Sequence, residues 1–466
     1  MRPSPRYIFV FFALIVFALT TSLFAQTPDE AIARAAVASG AADLGSTRKP
    51  INATSVQNGS LSQVVLDAQT GAVVSGGFNV SMNAAAASST SQSGNDDHFD
   101  VDCRRPNHSN IDGLNTLATF DGAFVAQAGP EAGNDFRFTM VGNEPRLGCT
   151  TVFPTNISEV SLQLLNADGS VFKVVPFAPF EKLTLESPNF EPLNYRSGHG
   201  IEFGDAVHRA QFFHRMGHDW HTLLIPKVVN KVTITVPFFV HIRLQNGNII
   251  QARSYFTGTA ADGSTFVLML FPLFNFFFDN EVVNEIIAGN FTTNGFNVAM
   301  FPNTFLFDLN VNNPNVPGGC CVLGFHTYFL DSGFPQPRWV SMYASWISPG
   351  IFGGGFQDVT ALSHEVQESF GNPFISNPAP NWQFPGQPAN STACQDNLEQ
   401  GDPIEVLPNA TAPTEVKEGT FDFIYHPQNI PLLQWFEMGT TSNAIDGAFS
   451  FPNEAVLPHS AVPCPQ

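Results

Sequence analysis

Three side chains within five residues of one predicted helix have the types and spacing of a hydrolytic metal site. His364 and Glu368 are four residues apart, so at about 100° per residue they point the same way, one helical turn apart. A histidine nitrogen and a carboxylate placed in this way can grip one metal ion. Glu365 would lie beside the ion, where it could take a proton from an activated water and deliver it to a leaving amine. The alternative is an exposed polar helix face that carries a His–Glu pair.

The charge of the ligand set bears on which metal it would hold. The pattern is an HExxH motif in which the second histidine is replaced by Glu368. Two carboxylates and one imidazole neutralise a divalent cation, which makes it a weaker Lewis acid than a cation with two imidazoles and one carboxylate. Such a set also tolerates harder metals such as manganese or iron. We expect one divalent metal ion, with zinc as the first candidate.

A third protein ligand is expected, because catalytic zinc sites use three protein ligands and one water. Residues 399–405 form an acidic turn downstream of the helix, in which Gly401 permits a tight bend. Glu399 is the first choice of ligand and Asp402 is the second, and Cys394 could pin the preceding loop. The alternative is a solvated acidic loop, since acidic turns are common.

Further histidines offer supporting roles. His326 and His426 could orient ligands or stabilise an oxyanion, although structural histidines with satisfied hydrogen bonds are the simpler interpretation of both. A second cluster could form another metal site, but it contains no carboxylate that could act as a base. An amphipathic helix with surface histidines is the preferred interpretation of it. The cluster comprises His208, His214, His218 and His221.

The helix that carries the motif is predicted over residues 359–370. Asp358 can cap its start, Gly371 can end it in a left-handed conformation, and Pro373 forbids continuation. The apolar positions fall on the side opposite to the metal-binding pair and should pack on the core. These positions are Val359, Leu362, Val366 and Phe370.

The remaining chain mixes strand and helix patterns, which indicates an α+β domain with its chemistry late in the chain. Alternating or β-rich runs predict strands, and an Asn-Gly-containing turn at 245–248 predicts a hairpin. The predicted strands cover 158–164, 171–175, 231–239, 240–244, 249–256, 296–308, 321–330 and 338–347. Helices are expected at 29–40, 204–217 and 281–288.

The N-terminal segment has the pattern of a secretory signal peptide at residues 1–25, with Arg2 and Arg6 ahead of an apolar run. Residues 26–101 are expected to be weakly ordered, as a low-complexity linker, a removable pro-segment or a plain tail. The catalytic domain would then occupy residues 102–466. These features predict a secreted, periplasmic or cell-envelope protein.

Composition excludes some partners. The chain has 20 Lys and Arg against 40 Asp and Glu, and no basic cluster stands out, so nucleic acid is excluded as a partner. No segment after the signal peptide reaches membrane-spanning length; the nearest, 266–278, is short and contains Pro272. We therefore expect no stable membrane span.

An even number of cysteines in an exported chain favours disulfide bonds. The chain lacks a CxxC pair, which argues against a thiolate zinc site. Cys320 and Cys321 are adjacent, so each is expected to bond to a separate partner. The six cysteines are Cys103, Cys149, Cys320, Cys321, Cys394 and Cys464.

Residues 361–368, followed by Asn372 and Pro373, resemble the active-site helix of secreted bacterial zincin-like metallopeptidases, which are similar around this helix to plant phosphate-induced (EXORDIUM-like) proteins. Matching short motifs lie at 204–206, 209–212, 320–326, 398–403 and 425–426. The resemblance implies a zincin-like mixed sheet with His364 and Glu368 as metal ligands and Glu365 as the base. It also implies a role for the loop that contains Glu399 and Asp402.

The leading hypothesis is an exported metallohydrolase that cleaves a peptide or protein substrate. The alternative is a non-enzymatic envelope or surface-binding protein whose metal is structural, and Glu365 discriminates the two because only an open catalytic site needs it. A carbohydrate-active β-protein ranks lower. Sugar sites usually display Trp and Tyr, and this chain has five and six of them.

Overall fold

The structure is a computed structural model. It describes residues 28–39, 43–45, 51–52, 55–58, 64–75, 78–81, 117–194, 200–330, 337–353, 355–385, 394–405, 407–418, 421–439, 451, 454–460 and 464. The signal peptide predicted at residues 1–25 lies outside the described residues.

The described chain is a mixed α+β structure in which strands predominate, as the sequence predicts. The helices are α1 Pro28–Ser39, α2 Ala178–Leu185, α3 Phe203–Gln211, α4 Phe271–Ile287, α5 Thr360–Gly371 and α6 Leu433–Phe436. The strands are β1 Asp43–Gly45, β2 Ile51–Asn52, β3 Ser55–Asn58, β4 Val65–Asp67, β5 Val73–Ser75, β6 Phe78–Ser81, β7 Thr119–Val125, β8 Asp135–Val141, β9 Thr150–Leu165, β10 Val171–Val175, β11 Leu193–Asn194, β12 Gly200–Ile201, β13 His221–Val236, β14 Phe239–Arg243, β15 Ile249–Arg253, β16 Tyr255–Thr259, β17 Thr265–Leu270, β18 Phe296–Pro302, β19 Thr304–Leu309, β20 Pro317–Leu330, β21 Arg338–Trp346, β22 Pro378–Gln383, β23 Cys394–Asn397, β24 Thr414–Glu418 and β25 Phe421–Tyr425.

One large mixed sheet organises the molecule. Its main path runs β10-β9-β18-β21-β20-β19-β17-β16, while β13 pairs with β9 and both β1 and β2 pair with β20. Strands β9, β18 and β21 are parallel neighbours, whereas β20 runs antiparallel to both β21 and β19. Strands β18 and β21 are almost wholly buried, which is what a sheet covered on both faces requires.

Local patterning correctly predicts the strands of the first half of the sheet. The predicted strands 158–164 and 171–175 form the hairpin of β9 and β10, with Gly169 in the left-handed region at φ 84°. The predicted strand 296–308 is divided into β18 and β19 at Asn303, which has φ 43°. The Asn303 side chain compensates for the break by accepting a hydrogen bond from the Ser348 backbone N–H at 2.6 Å.

Helix α4 begins ten residues before the predicted helix 281–288. Pro272 lies in its first turn, where the missing N–H breaks no helical hydrogen bond. Most of the added residues are buried, and four of these buried residues are phenylalanines; a helix that is apolar on all sides belongs in a protein core. Among the described residues, no helix is both long and apolar enough to cross a membrane.

Helix α3 is shorter than predicted. It ends at Gln211 instead of continuing to Gly217. A Cβ at Gly217 would lie only 2.5 Å from the Gly148 Cα, so the chain there is a tightly packed turn. His214 and His218 are consequently not one helical turn apart, and the prediction of a helix carrying both is wrong.

Several segments of the predicted linker 26–101 take part in the fold. Helix α1, predicted at 29–40, is present, and Ala33 and Val37 are buried on it. Asp29 forms an ion pair with Arg253 at 2.8 Å. Strands β1 and β2 extend along β20, and β4 pairs with β14. The division of the chain near residue 102 stays a prediction.

The prediction that Cys320 and Cys321 bond to separate partners is wrong, because the two residues form a disulfide with each other. In β20 the pairing shifts at this point: Val322 faces Leu306, whereas Cys320 faces Phe307. Cys321 is therefore an extra residue of a bulge, and a bulge breaks the alternation that would direct neighbouring side chains to opposite faces. Elsewhere, Cys394 pairs with Cys464 across 70 residues of sequence.

Candidate metal centre

Helix α5 carries the predicted motif and is buried along its whole length. It covers Thr360–Gly371, one residue displaced from the predicted 359–370. It packs on β20 and β21, on α3 and on β8. The apolar side faces the core as expected, and Gly204 of α3 lies against Val366 and Phe370. The polar side is equally buried, so the helix offers its acids and imidazole to the interior of the protein.

The start of α5 differs from the expected cap at Asp358. Val359 occupies the N-cap position and makes no side-chain cap. The Asp358 carboxylate instead accepts hydrogen bonds from the backbone N–H groups of Val359 at 2.7 Å and His426 at 2.8 Å. Its second oxygen lies 2.7 Å from His426 Nδ1. Asp358 therefore joins the start of the helix to the segment around His426. In these contacts His426 has a structural role.

The end of α5 also differs from the expected left-handed glycine. Gly371 is the last helical residue, and Asn372 follows it with φ −149°. The glycine is needed for another reason: a Cβ at residue 371 would overlap Gln400 Oε1. The absence of a side chain thus lets the loop that contains Gln400 approach the helix closely.

The expected ligand pair lies together in the interior. His364 Nε2 is 3.2 Å from Glu368 Oε1 and 3.4 Å from Asp402 Oδ1. One ligand atom from each of the three residues lies within 4.8 Å of the others. The three side chains are at most 1% exposed. One imidazole and two carboxylates therefore converge on a space where a cation could contact all of them.

The geometry favours Asp402 over the first-choice ligand Glu399. Glu399 Oε1 accepts hydrogen bonds from the side-chain amides of Asn372 at 3.1 Å and Asn397 at 2.9 Å. Its Oε2 faces His326 Nε2 at 3.7 Å, on the other side of the cluster. The two acids are three positions apart, and the short 3-10 turn Asp402–Ile404 directs only Asp402 towards His364.

Backbone contacts hold the 399–402 loop against α5. The Gly401 N–H donates to Glu368 Oε1 at 3.0 Å, and the Gly401 carbonyl accepts from Gln428 Nε2 at 2.8 Å. A Cβ at Gly401 would overlap the His364 imidazole. Beside it, the side-chain amides of Gln400 and Gln211 are paired at 2.5 Å, which ties the loop to α3.

Glu365 lies beside the proposed ligands and is completely buried. Its Oε1 is 4.0 Å from His364 Nε2 and its Oε2 is 3.7 Å from His326 Nδ1. Within the described part of the chain, neither oxygen has a hydrogen-bond partner. A Cβ at Gly324 would overlap Glu365 Oε1, so this glycine makes room for the carboxylate.

His326 belongs to the site, which the sequence indicated only as one of two possibilities. It projects from β20 and is 2% exposed. Its Nε2 donates to the Asn372 carbonyl at 3.1 Å, and its Nδ1 lies 3.3 Å from Glu368 Oε2. His326, Glu365 and Glu368 form a second group of potential ligands that shares Glu368 with the first.

The second histidine cluster is dispersed. His208 is buried and stacks on Trp220 with ring centroids 5.0 Å apart, and burial lowers its pKa to about 3. His221 Nδ1 lies 2.6 Å from Asp205, and His218 is largely exposed. In the ranges that the structure describes, no group of three potential ligands includes any histidine of this cluster.

Burial and mutual repulsion raise the pKa of three acids of the centre. Burial raises the pKa of Glu365 to about 7, although the nearby imidazoles of His364 and His326 oppose the shift. Burial, with the like charges of Glu368 and Glu365, raises the pKa of Glu399 to about 8. Burial raises the pKa of Asp402 well above its ordinary range, and the charge of Glu368 adds to the shift.

The pKa shifts of Glu368 and of the two imidazoles favour their charged forms. Burial opposes ionisation of Glu368, but His364 and His326 outweigh it and lower the pKa of this carboxyl. Burial would lower the pKa of both imidazoles, yet the surrounding carboxylates raise it well above the ordinary value. Positive charge is therefore stabilised at this place, and Glu368 is the central negative charge.

The residues fit a divalent cation. Within the described ranges, buried atoms without a hydrogen-bond partner include both ring nitrogens of His364, Glu365 Oε1 and Oε2, Glu399 Oε2 and Asp402 Oδ1. Leaving a buried polar atom unsatisfied costs about 1–3 kcal/mol, so a cluster of them requires an explanation. Nitrogen and carboxylate oxygen are the ligands that zinc and manganese accept.

Sequence reasoning missed the residues that support the site. Gln211, Gly324 and Gln400 act through contacts with residues distant in sequence, although each belongs to a motif that carries the resemblance described above. No family model, curated protein or solved structure matches this chain.

Proposed function

We propose that the protein is a metal-dependent hydrolase in which His364, Glu368 and Asp402 hold a divalent cation. The observation that carries the proposal is the convergence of these three side chains, with ligand atoms within 4.8 Å of one another, beside the unpartnered carboxylate of Glu365. Three protein ligands with an adjacent carboxylate are the arrangement of hydrolytic metal sites.

Each residue has a distinct task in this proposal. A bound divalent cation would acidify a water molecule and polarise the substrate carbonyl. Glu365 would accept the proton of the attacking water and transfer it to the nitrogen of the amine that leaves when the peptide C–N bond breaks. The Glu365 carboxylate lies 4.0 Å from His364 Nε2, so it is placed beside the proposed ligands, where a general base is needed.

The charge of the ligand set limits which metals are candidates. Two carboxylates and one neutral imidazole balance a divalent cation, and Asp402 in place of Glu399 leaves that balance unchanged. Zinc is the first candidate, and manganese and iron are compatible with an oxygen-rich set. The zincin-like assignment belongs to the same proposal, and its support is the HExxE spacing on α5.

Export to an oxidising compartment is also part of the proposal. Among the described cysteines, Cys394 pairs with Cys464 and Cys320 pairs with Cys321. Disulfides persist mainly in secreted and periplasmic proteins. The expected substrate is accordingly an extracytoplasmic peptide or protein.

A second candidate function is a non-enzymatic protein with a structural cation. One observation favours it: His364, Glu365 and Asp402 are 0% exposed, whereas an open catalytic site exposes a position for water and substrate. Hydrolysis therefore requires that chain segments around the 399–402 loop move to admit the substrate.

Glu365→Gln distinguishes the two candidates. The amide keeps the size of the side chain but cannot accept a proton, so casein hydrolysis should be lost while the cation held by His364, Glu368 and Asp402 stays bound. Glu415→Gln, a change at a half-exposed glutamate, is the matched control and should retain activity. Equal casein hydrolysis by wild type and Glu365→Gln would rule out the base, and inactivity of the metal-loaded wild type on casein would favour the structural cation.

A further inference from the structure

The two oxygens of Glu368 face two different imidazoles. Oε1 is 3.2 Å from His364 Nε2, and Oε2 is 3.3 Å from His326 Nδ1. Glu368 belongs to two groups of potential ligands, one with His364 and Asp402 and the other with His326 and Glu365. A carboxylate that turns one oxygen to each of two ligand groups has the arrangement of a bridging ligand, as in two-metal sites whose ions lie about 3.5–4 Å apart.

The hydrogen bonding of His326 limits what its other nitrogen can do. Nε2 lies 3.1 Å from the Asn372 carbonyl oxygen, which only accepts, so Nε2 must carry a proton. Nδ1 then either offers a lone pair to a cation or carries a second proton. A histidine whose far nitrogen donates to a backbone carbonyl is the usual arrangement of a metal-ligating imidazole.

The cluster offers more ligand groups than one cation uses. Four carboxyl groups lie together with two imidazoles, and none is more than 2% exposed. The first cation uses His364, Asp402 and Glu368, which leaves His326 and Glu365 as a further pair of potential ligands beside it.

Glu365 supplies an independent indication of a ligand on the His326 side. It is 0% exposed, and within the described chain both of its oxygens lack a hydrogen-bond partner. Its Oε2 is directed at His326 Nδ1 from 3.7 Å, a separation that is too long for a hydrogen bond but leaves room for an ion that contacts both atoms.

We propose that the centre binds two divalent cations bridged by Glu368, the second held by His326 Nδ1 and Glu365 Oε2. The inference rests on the proposed first cation at His364 and Asp402. Glu365 Oε1 remains directed towards His364, so the proton-accepting role of this carboxylate is compatible with its Oε2 acting as a ligand. The second cation would share the polarisation of the substrate.

Metal stoichiometry tests the proposal in the full-length protein as purified. Wild type is saturated with Zn²⁺ or Mn²⁺, freed of unbound ions and examined by elemental analysis. His326→Gln is the decisive variant, because the glutamine amide can keep the hydrogen bond to the Asn372 carbonyl while the ligand at Nδ1 is lost. His218→Gln is the matched control at an exposed histidine, and circular dichroism checks that each variant is folded.

We expect two ions per chain in wild type and in His218→Gln, and one in His326→Gln. Mn²⁺-loaded wild type should show the electron paramagnetic resonance signal of an exchange-coupled pair, which His326→Gln should lose. One ion in both wild type and His326→Gln, with no coupled signal, would overturn the second site and leave the first intact. If His326→Gln does not fold, one ion per chain and an uncoupled Mn²⁺ signal in wild type would overturn it alone. No bound ion in wild type would overturn both sites.

Discussion

His364 Nε2 lies 3.2 Å from Glu368 Oε1 across one turn of a helix that is buried on every side. Burying a charged pair is costly, and the attraction between its members repays that cost only when further interactions satisfy the remaining polar atoms. The neighbouring acids Glu365 and Asp402 bring further carboxylates close to the pair. These carboxylates repel the carboxylate of Glu368. The proposed cation would offset this repulsion by binding between the carboxylates.

The two acids of the 399–402 loop should differ in their effect on metal binding. Asp402 Oδ1 lies in the ligand group of His364, whereas Glu399 is held by the amides of Asn372 and Asn397. Asp402→Asn should therefore remove a direct ligand, and Glu399→Gln should alter only its surroundings. We expect the larger loss for Asp402→Asn and at most about 10–100-fold for Glu399→Gln.

Competition with a fluorescent zinc chelator measures both affinities on the same scale. A larger loss for Glu399→Gln than for Asp402→Asn would show that the ligand assignment is reversed.

Gly401→Ala should disturb the centre by steric overlap, without changing its charge. The new methyl group would overlap the His364 imidazole, so either the loop or the imidazole must move. Overpacking of this kind costs about 1–3 kcal/mol, and we expect a loss of that size in the free energy of unfolding, together with weaker metal binding. Urea denaturation and elemental analysis measure the two effects.

Gly353→Ala is the matched control for this change. A Cβ at Gly353 would meet no atom within 4 Å, so its stability and metal content should equal those of wild type. Wild-type stability in Gly401→Ala would contradict the close approach of the loop to His364.

Glu202 should make the stability of the protein depend on pH. Burial raises its pKa from 4.5 to about 8, and the charges of Asp205 and Glu191 add to the shift although the Leu224 N–H opposes it. Because the folded state binds the proton more tightly than the unfolded state, this stabilisation is complete below pH 4.5. It is lost as the pH rises towards 8. At about 1.4 kcal/mol per pKa unit, the change is at most about 5 kcal/mol.

Glu202→Gln should remove this dependence, because the amide oxygen can still accept from Leu224 while no proton is bound. Urea denaturation at several pH values between 4.5 and 8 should show that the stability of wild type falls relative to Glu202→Gln as the pH rises. A constant difference between the two proteins across this range would contradict the raised pKa.

The helix and its ligand pair could be predicted from sequence because both depend on local periodicity. His364 and Glu368 are related by one helical turn, and this relation holds wherever the helix packs. The burial of the polar side could not be predicted from the sequence of α5. A helical wheel shows which residues share a face, but it does not show that β20 and the 399–402 loop cover both faces. The same limit applies to Asp358, whose partner His426 is 68 residues away.

The third ligand and the disulfides depended on contacts that spacing does not encode. Glu399 and Asp402 lie only three positions apart in the same loop, and the contacts of Asn372 and Asn397 and the turn after Gly401 place only Asp402 beside His364. The pairing of Cys320 with Cys321 results from a bulge in β20, which is defined by the register with β19. The position of α5 follows from the pattern of one element, whereas the approach of Asp402 to His364 and the cysteine pairing depend on contacts between two elements.

The metal content of the purified protein, measured by elemental analysis in wild type and in His364→Ala, tests the central claim most directly. We predict that wild type retains a divalent cation and that His364→Ala, which is otherwise folded, loses it. The claim would be contradicted if wild type contained no divalent cation, or if the folded His364→Ala variant held as much metal as wild type.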